Sequence, residues 1–104
     1  MGGKETPMKD IRITIWDLDA TRIQNIEKKL YEAMRECGVK GLVTSQSEPP
    51  LVSRMNLANS VPALEVDGLF WTQEPGREFD REACRELVHI LLEGNPLQYM
   101  KRAR

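Results

Sequence analysis

The sequence predicts a single α/β domain with the order β-α-β-α-β-β-α, and three observations lead there. Ile11, Ile13 and Ile15 alternate with Arg12, Thr14 and Trp16, a period-two pattern rich in β-branched residues. From Ala20 the period lengthens. Ile23, Ile26, Leu30, Ala33, Met34 and Cys37 recur at three- and four-residue steps, the pattern of an amphipathic helix. Asp67-Gly68 then stands between the apolar runs Val61–Val66 and Leu69–Thr72, which favours the type I′ turn of a tight hairpin.

Each element can be justified in turn. Residues 1–9 are polar, with two glycines and a proline, and are expected to form a disordered leader. The first strand ends at Trp16, and Asp17 or Asp19 can cap the following helix. That helix runs about five turns and stops at Gly38, which suits the left-handed position. Gly41–Ser45 has weak strand character and suits a sheet edge. Pro49 and Pro50 fit the first turn of a second helix, where amide donors are not needed. Leu51, Val52, Met55 and Ala58 would be its buried stripe. Pro62 must enter the third strand at its start, because it cannot donate to a ladder. Phe79, Ala83, Leu87, Ile90 and Leu91 mark the last helix, stopped by Gly94 and Pro96. The folded domain is therefore expected over residues 10–93. A basic tail over 94–104 ends Lys101-Arg102-Ala103-Arg104 and is expected to fray, with no folded role.

Composition removes several function classes. The 104 residues carry 15 Lys+Arg against 16 Asp+Glu, a formal charge of -1, without the basic excess of a dedicated nucleic-acid binder. No apolar run approaches the ~20 residues of a membrane span, and no apolar segment near the start marks a secretory signal. The expected compartment is a reducing cytoplasm, with Cys37 and Cys84 as free thiols. Two cysteines and the lone His89 are too few for a four-ligand zinc site, and neither metal nor cofactor is expected. His89 itself reads as a partly exposed structural residue within the last helix.

The element order, with Ser60-Val61-Pro62-Ala63-Leu64-Glu65-Val66-Asp67-Gly68 opening the hairpin, resembles the thioredoxin-like superfamily, above all its small glutaredoxin-like domains. The resemblance spans roughly residues 10 to 93. It implies a four-stranded mixed sheet with two helices on one face and one on the other, and it makes Pro62 the candidate cis-proline. It also implies a groove where the loop after the first strand meets the proline loop, an edge that in this family binds peptides or glutathione. Trp16, Asp19, Thr21, Arg22, Ser60, Val61 and Pro62 are the candidate contacts there. Pro75-Gly76-Arg77-Glu78-Phe79-Asp80 partly matches the Gly-Gly-x-Asp that precedes the family's last helix, with one glycine instead of two.

The chain departs from that family at its chemistry. Family members carry Cys-x-x-Cys, or one Cys, at the start of the first helix, where the helix terminus favours the thiolate. Here that place holds Ala20-Thr21-Arg22-Ile23, and no cysteine lies within several residues. Dithiol exchange at the usual site is excluded. Cys37 and Cys84 would sit at different levels of the two long helices, about 15 Å or more apart along the axis. That is too far for a bridge spanning ~5.5 Å between Cα atoms. The reading is thus a redox-inactive module that binds a protein or a small thiol such as glutathione near Pro62. The rival is a thiol-dependent oxidoreductase that relies on Cys84 or on bound glutathione. A remoter rival starts from Asp17-Leu18-Asp19-Ala20-Thr21, which resembles the first motif of haloacid-dehalogenase-type phosphatases. By that resemblance Asp17 would attack phosphorus and Asp19 would handle the leaving-group proton beside magnesium. The sheet and downstream residues those enzymes need have no room here. In a last alternative, an edge strand around Leu42–Ser45 pairs with another chain.

Overall fold

The computed structural model describes residues 11–94 and 101–102, so the expected leader and most of the basic tail lie outside the described residues. Eight elements follow one another: β1 (Ile11–Trp16), α1 (Ala20–Glu36), β2 (Gly41–Gln46), α2 (Pro49–Arg54), β3 (Ala63–Val66), β4 (Leu69–Thr72), α3 (Arg81–Glu93) and β5 (Lys101–Arg102). The strands form one mixed sheet in the order β2-β1-β3-β4-β5. β1 pairs parallel with β2, Ile11 beside Gly41 through Trp16 beside Gln46. It pairs antiparallel with β3, and β3 with β4. The frayed-tail expectation fails at Lys101–Arg102, whose backbone pairs antiparallel with Phe70 and Leu69.

Strand alternation sorts the side chains into two cores. On one face Ile11, Ile13 and Ile15 meet Ile23, Ile26, Leu30 and Met34 of α1 and Cys84, Leu87 and Val88 of α3. Burying each large aliphatic side chain contributes roughly 1.5–3 kcal/mol, so this layer supplies most of the hydrophobic stabilisation. The opposite face carries a smaller cluster of Trp16, Ala63 and Phe70 beneath Val52, Leu57 and Val61. Among the described residues its cover is the short α2 and the segment that follows it. That helix stops at Arg54, so Leu57 takes the buried place expected of Ala58, which is exposed.

Helices α1 and α3 run parallel, as their polar contacts show. Lys29 meets Glu78 at 2.6 Å, Glu32 meets Arg81 at 3.3 Å and Glu36 meets Arg85 at 2.9 Å. Partners advance in steps of three and four along both chains in the same direction. Caps set the helix limits. Asp19 accepts from the Arg22 amide, and Asp80 accepts from the Ala83 amide at 2.8 Å. Phe79, expected inside α3, instead precedes its cap and is fully buried.

One turn needs both its aspartate and its glycine. Asp67 and Gly68 both adopt positive φ, 52° and 82°, as a type I′ turn requires. Gly41 lacks a side chain for a different reason. A Cβ there would meet Met34 Sδ and lie 2.6 Å from the Ile11 carbonyl, so its absence lets α1 pack close to the sheet. The Val61–Pro62 bond is cis, the isomer that the resemblance implies for Pro62. Among the described residues no helix is long and apolar enough to cross a membrane.

Candidate functional site

The alternation that buries Ile11, Ile13 and Ile15 continues one step further and carries Asp17 to the same face. Its side chain is 0% exposed. A carboxylate in that position must be paired or it would cost several kcal/mol. Arg22 supplies the pairing. The Asp19 cap starts α1 at Ala20 and places Arg22 in the first turn, from which its guanidinium folds back over the loop. Nε donates to Asp17 Oδ2 and Nη2 to Oδ1, both at 2.6 Å, a bidentate pair. The Leu18 amide gives Oδ1 a further bond at 2.8 Å. The bond to Asp17 raises the Arg22 pKa, outweighing the desolvation that lowers it.

The same arginine reaches a second loop. Nη1 donates to the Gly76 carbonyl at 2.9 Å, and the Gly76 amide donates to the Val61 carbonyl at 2.8 Å. One chain of bonds therefore joins the end of β1, the start of α1, the loop before α3 and the Val61–Pro62 segment. Of the candidate contacts, the fold brings Asp19, Arg22 and Val61 together, with Ser60 and Pro62 beside them. Thr21 is exposed on the first turn of α1, and Ser60 is half-buried. Sequence reasoning missed three participants: Asp17 as the buried partner of Arg22, Gly76 as the bridge, and Leu18, 46% exposed on the loop. The signal for Asp17 was present in the alternation; the Gly76 segment was matched to the family's Gly-Gly-x-Asp, but no local pattern encodes its bond to Arg22.

Trp16, one of the candidate contacts, lies in the core, the commoner place for a tryptophan. The residue is 8% exposed, its ring lies 6.1 Å from that of Phe70, and Nε1 donates to Glu65 at 2.6 Å. Its ring packs in the core instead of facing a ligand. Trp71 is half-buried against Phe79, with ring centroids 5.6 Å apart.

The thiols are free and unlike each other. Cys84 is buried in the core and its pKa is pushed up to about 12, chiefly by desolvation. A thiol so placed is neutral and shielded near neutral pH, without the exposure or acidity that nucleophilic attack requires. Cys37 caps the end of α1, half-buried, with Sγ 3.9 Å from His89 Nε2. His89 is exposed and five residues beyond Cys84, a helical rise of about 7.5 Å. The expected axial separation of about 15 Å between the thiols is therefore too large. They are nonetheless unbridged, because Cys84 faces the sheet while Cys37 lies at the level of the exposed His89.

The phosphatase geometry does not form. Both Asp17 oxygens are held by Arg22, and Asp19 is occupied as a helix cap. Among the described residues no three His, Cys, Asp or Glu side chains converge as metal ligands would. Comparison with family models, curated proteins and solved structures finds no match to this chain.

Proposed function

We propose that the chain is a redox-inactive, thioredoxin-like module that binds a protein or small thiol ligand at the loop edge beside Pro62. The observation that carries the reading is the bond network from Asp17 through Arg22 and Gly76 to Val61. It occupies the start of α1, where relatives of that superfamily would hold a reactive thiol, and it contains no nucleophile. Cys84 is sealed in the core. What stays accessible is a rim of Leu18, Asp19, Thr21 and Ser60 around an internally tied frame. A frame fixed by internal hydrogen bonds suits recognition, since little ordering is left to offset on binding. The Val61 carbonyl already accepts from Gly76, so backbone pairing beside the proline has one acceptor fewer to offer. Contact through the exposed rim side chains fits the geometry better.

Amide chemical-shift mapping with reduced and oxidised glutathione tests the small-ligand form of the proposal. Shifts centred on Leu18, Thr21, Ser60 and Gly76 support it. Shifts confined to the outer faces of α1 and α3 contradict it.

A further inference from the structure

Among the described residues β2 is an outer strand of the sheet, and its pattern is unusual for an edge without a neighbour. Residues 41–46 contain no charge and no proline, and Leu42 is 52% exposed. Natural edges normally carry such blocking features. The parallel ladder shows which groups face outward. The carbonyls of Lys40 and Gln46 accept from Ile11 and Asp17, so the even-numbered residues point their backbone groups to β1. Gly41, Val43 and Ser45 therefore turn theirs to the free edge. One of these is taken. The Val43 amide donates to the Tyr31 hydroxyl of α1 at 3.0 Å, where a partner strand's carbonyl would otherwise accept.

We propose that the β2 edge is a self-pairing surface for a second copy of this chain, held closed by the Tyr31 hydroxyl. The sequence from Lys40 to Glu48 is close to self-complementary. The strand itself spans Gly41–Gln46, and Glu48 beyond it is again extended, with φ and ψ of -81° and 121°. In an antiparallel pair about a two-fold at Thr44, Val43 exchanges bonds with Ser45 of the second copy and Gly41 with Ser47. Thr44 faces itself, Leu42 faces Gln46, and Lys40 faces Glu48 across a non-hydrogen-bonded position, where side chains approach most closely. Each symmetric pair thus brings two opposite charges together, which favours this register over others. Only the Val43 amide must first leave Tyr31. This surface lies away from the loop edge and does not depend on the ligand-binding reading.

Sedimentation velocity of the full chain decides the matter, with circular dichroism to establish folding. The wild type is expected to be monomeric. Tyr31→Ala removes both the hydroxyl and the ring, and is expected to dimerise at least about tenfold more tightly. Tyr31→Phe keeps the ring and is expected to shift in the same direction by less, and it decides alone if the alanine variant does not fold. In either background Lys40→Glu should dissociate the dimer, and adding Glu48→Lys should restore it. Folded Tyr31 variants that remain monomeric overturn the proposal, as does a dimer indifferent to the Lys40 and Glu48 charges.

Discussion

The loop edge around Asp17 and the strand edge around Val43 treat their polar groups in opposite ways. At the first, a charge carried into the core by strand alternation is met by three donors, and its partner arginine is tied on to Gly76. No buried side-chain nitrogen or oxygen among the described residues lacks a partner. At the second, an uncharged strand keeps backbone groups facing outward, with one amide satisfied by Tyr31. Capacity for interaction therefore differs between the two edges. Burying a charge forces complete internal pairing, and residues so committed are lost to chemistry. An exposed edge carries no such cost and leaves its bonds for a partner.

The largest effect is expected at Arg22. Arg22→Met leaves the Asp17 carboxylate buried without its cation, and is expected to cost about 3–5 kcal/mol in urea unfolding. Asp17→Leu combined with Arg22→Met should recover much of that loss, because an apolar pair removes the orphaned charge. A double variant as unstable as the single one would mean that the guanidinium bond to Gly76 dominates instead.

At the open edge the comparable test is steric. Gly41→Ala places a Cβ against Met34 and the Ile11 carbonyl, and should destabilise by about 1–3 kcal/mol on thermal unfolding. Helix caps are worth less. Asp80→Ala is expected to cost about 1 kcal/mol by removing the bond to the Ala83 amide. Breaking the half-exposed Glu36–Arg85 pair should change stability by less than about 1 kcal/mol, and salt should erase the effect.

Alkaline titration sharpens the contrast between the thiols. Folding raises the Cys84 pKa to about 12, so the native state holds that proton more firmly than the unfolded chain. The resulting stability is present below the unfolded thiol's pKa and is lost as pH rises from about 9 toward the folded value. Wild-type stability should therefore fall more steeply above about pH 9 than that of Cys84→Ala. Equal slopes would show that Cys84 titrates freely in the native state.

Much of this fold was legible because it rests on period. The alternation of Ile11, Ile13 and Ile15, the helical recurrence from Ile23 to Met34 and the Asp67-Gly68 turn each have one physical reading, and the structure follows them. Alternation gives no length for α2, however, and so Leu57 rather than Ala58 became its buried neighbour. Phe79 fell outside α3 because the Asp80 cap, not the apolar spacing, fixes the helix start. The site was less legible. Arg22 could be named, but its bond to Gly76 joins residues far apart in sequence, and no local pattern encodes that. Trp16 was misplaced for a similar reason: its partners, Phe70 and Glu65, come from the distant hairpin.

The proposed redox-inactive reading predicts no thiol turnover by this chain. Reduction of a glutathione mixed disulfide, compared among wild type, Cys84→Ser and Cys37→Ser, tests it most directly. No turnover above that of free thiol is expected in any of the three. Turnover by the wild type that disappears in Cys84→Ser would contradict that reading.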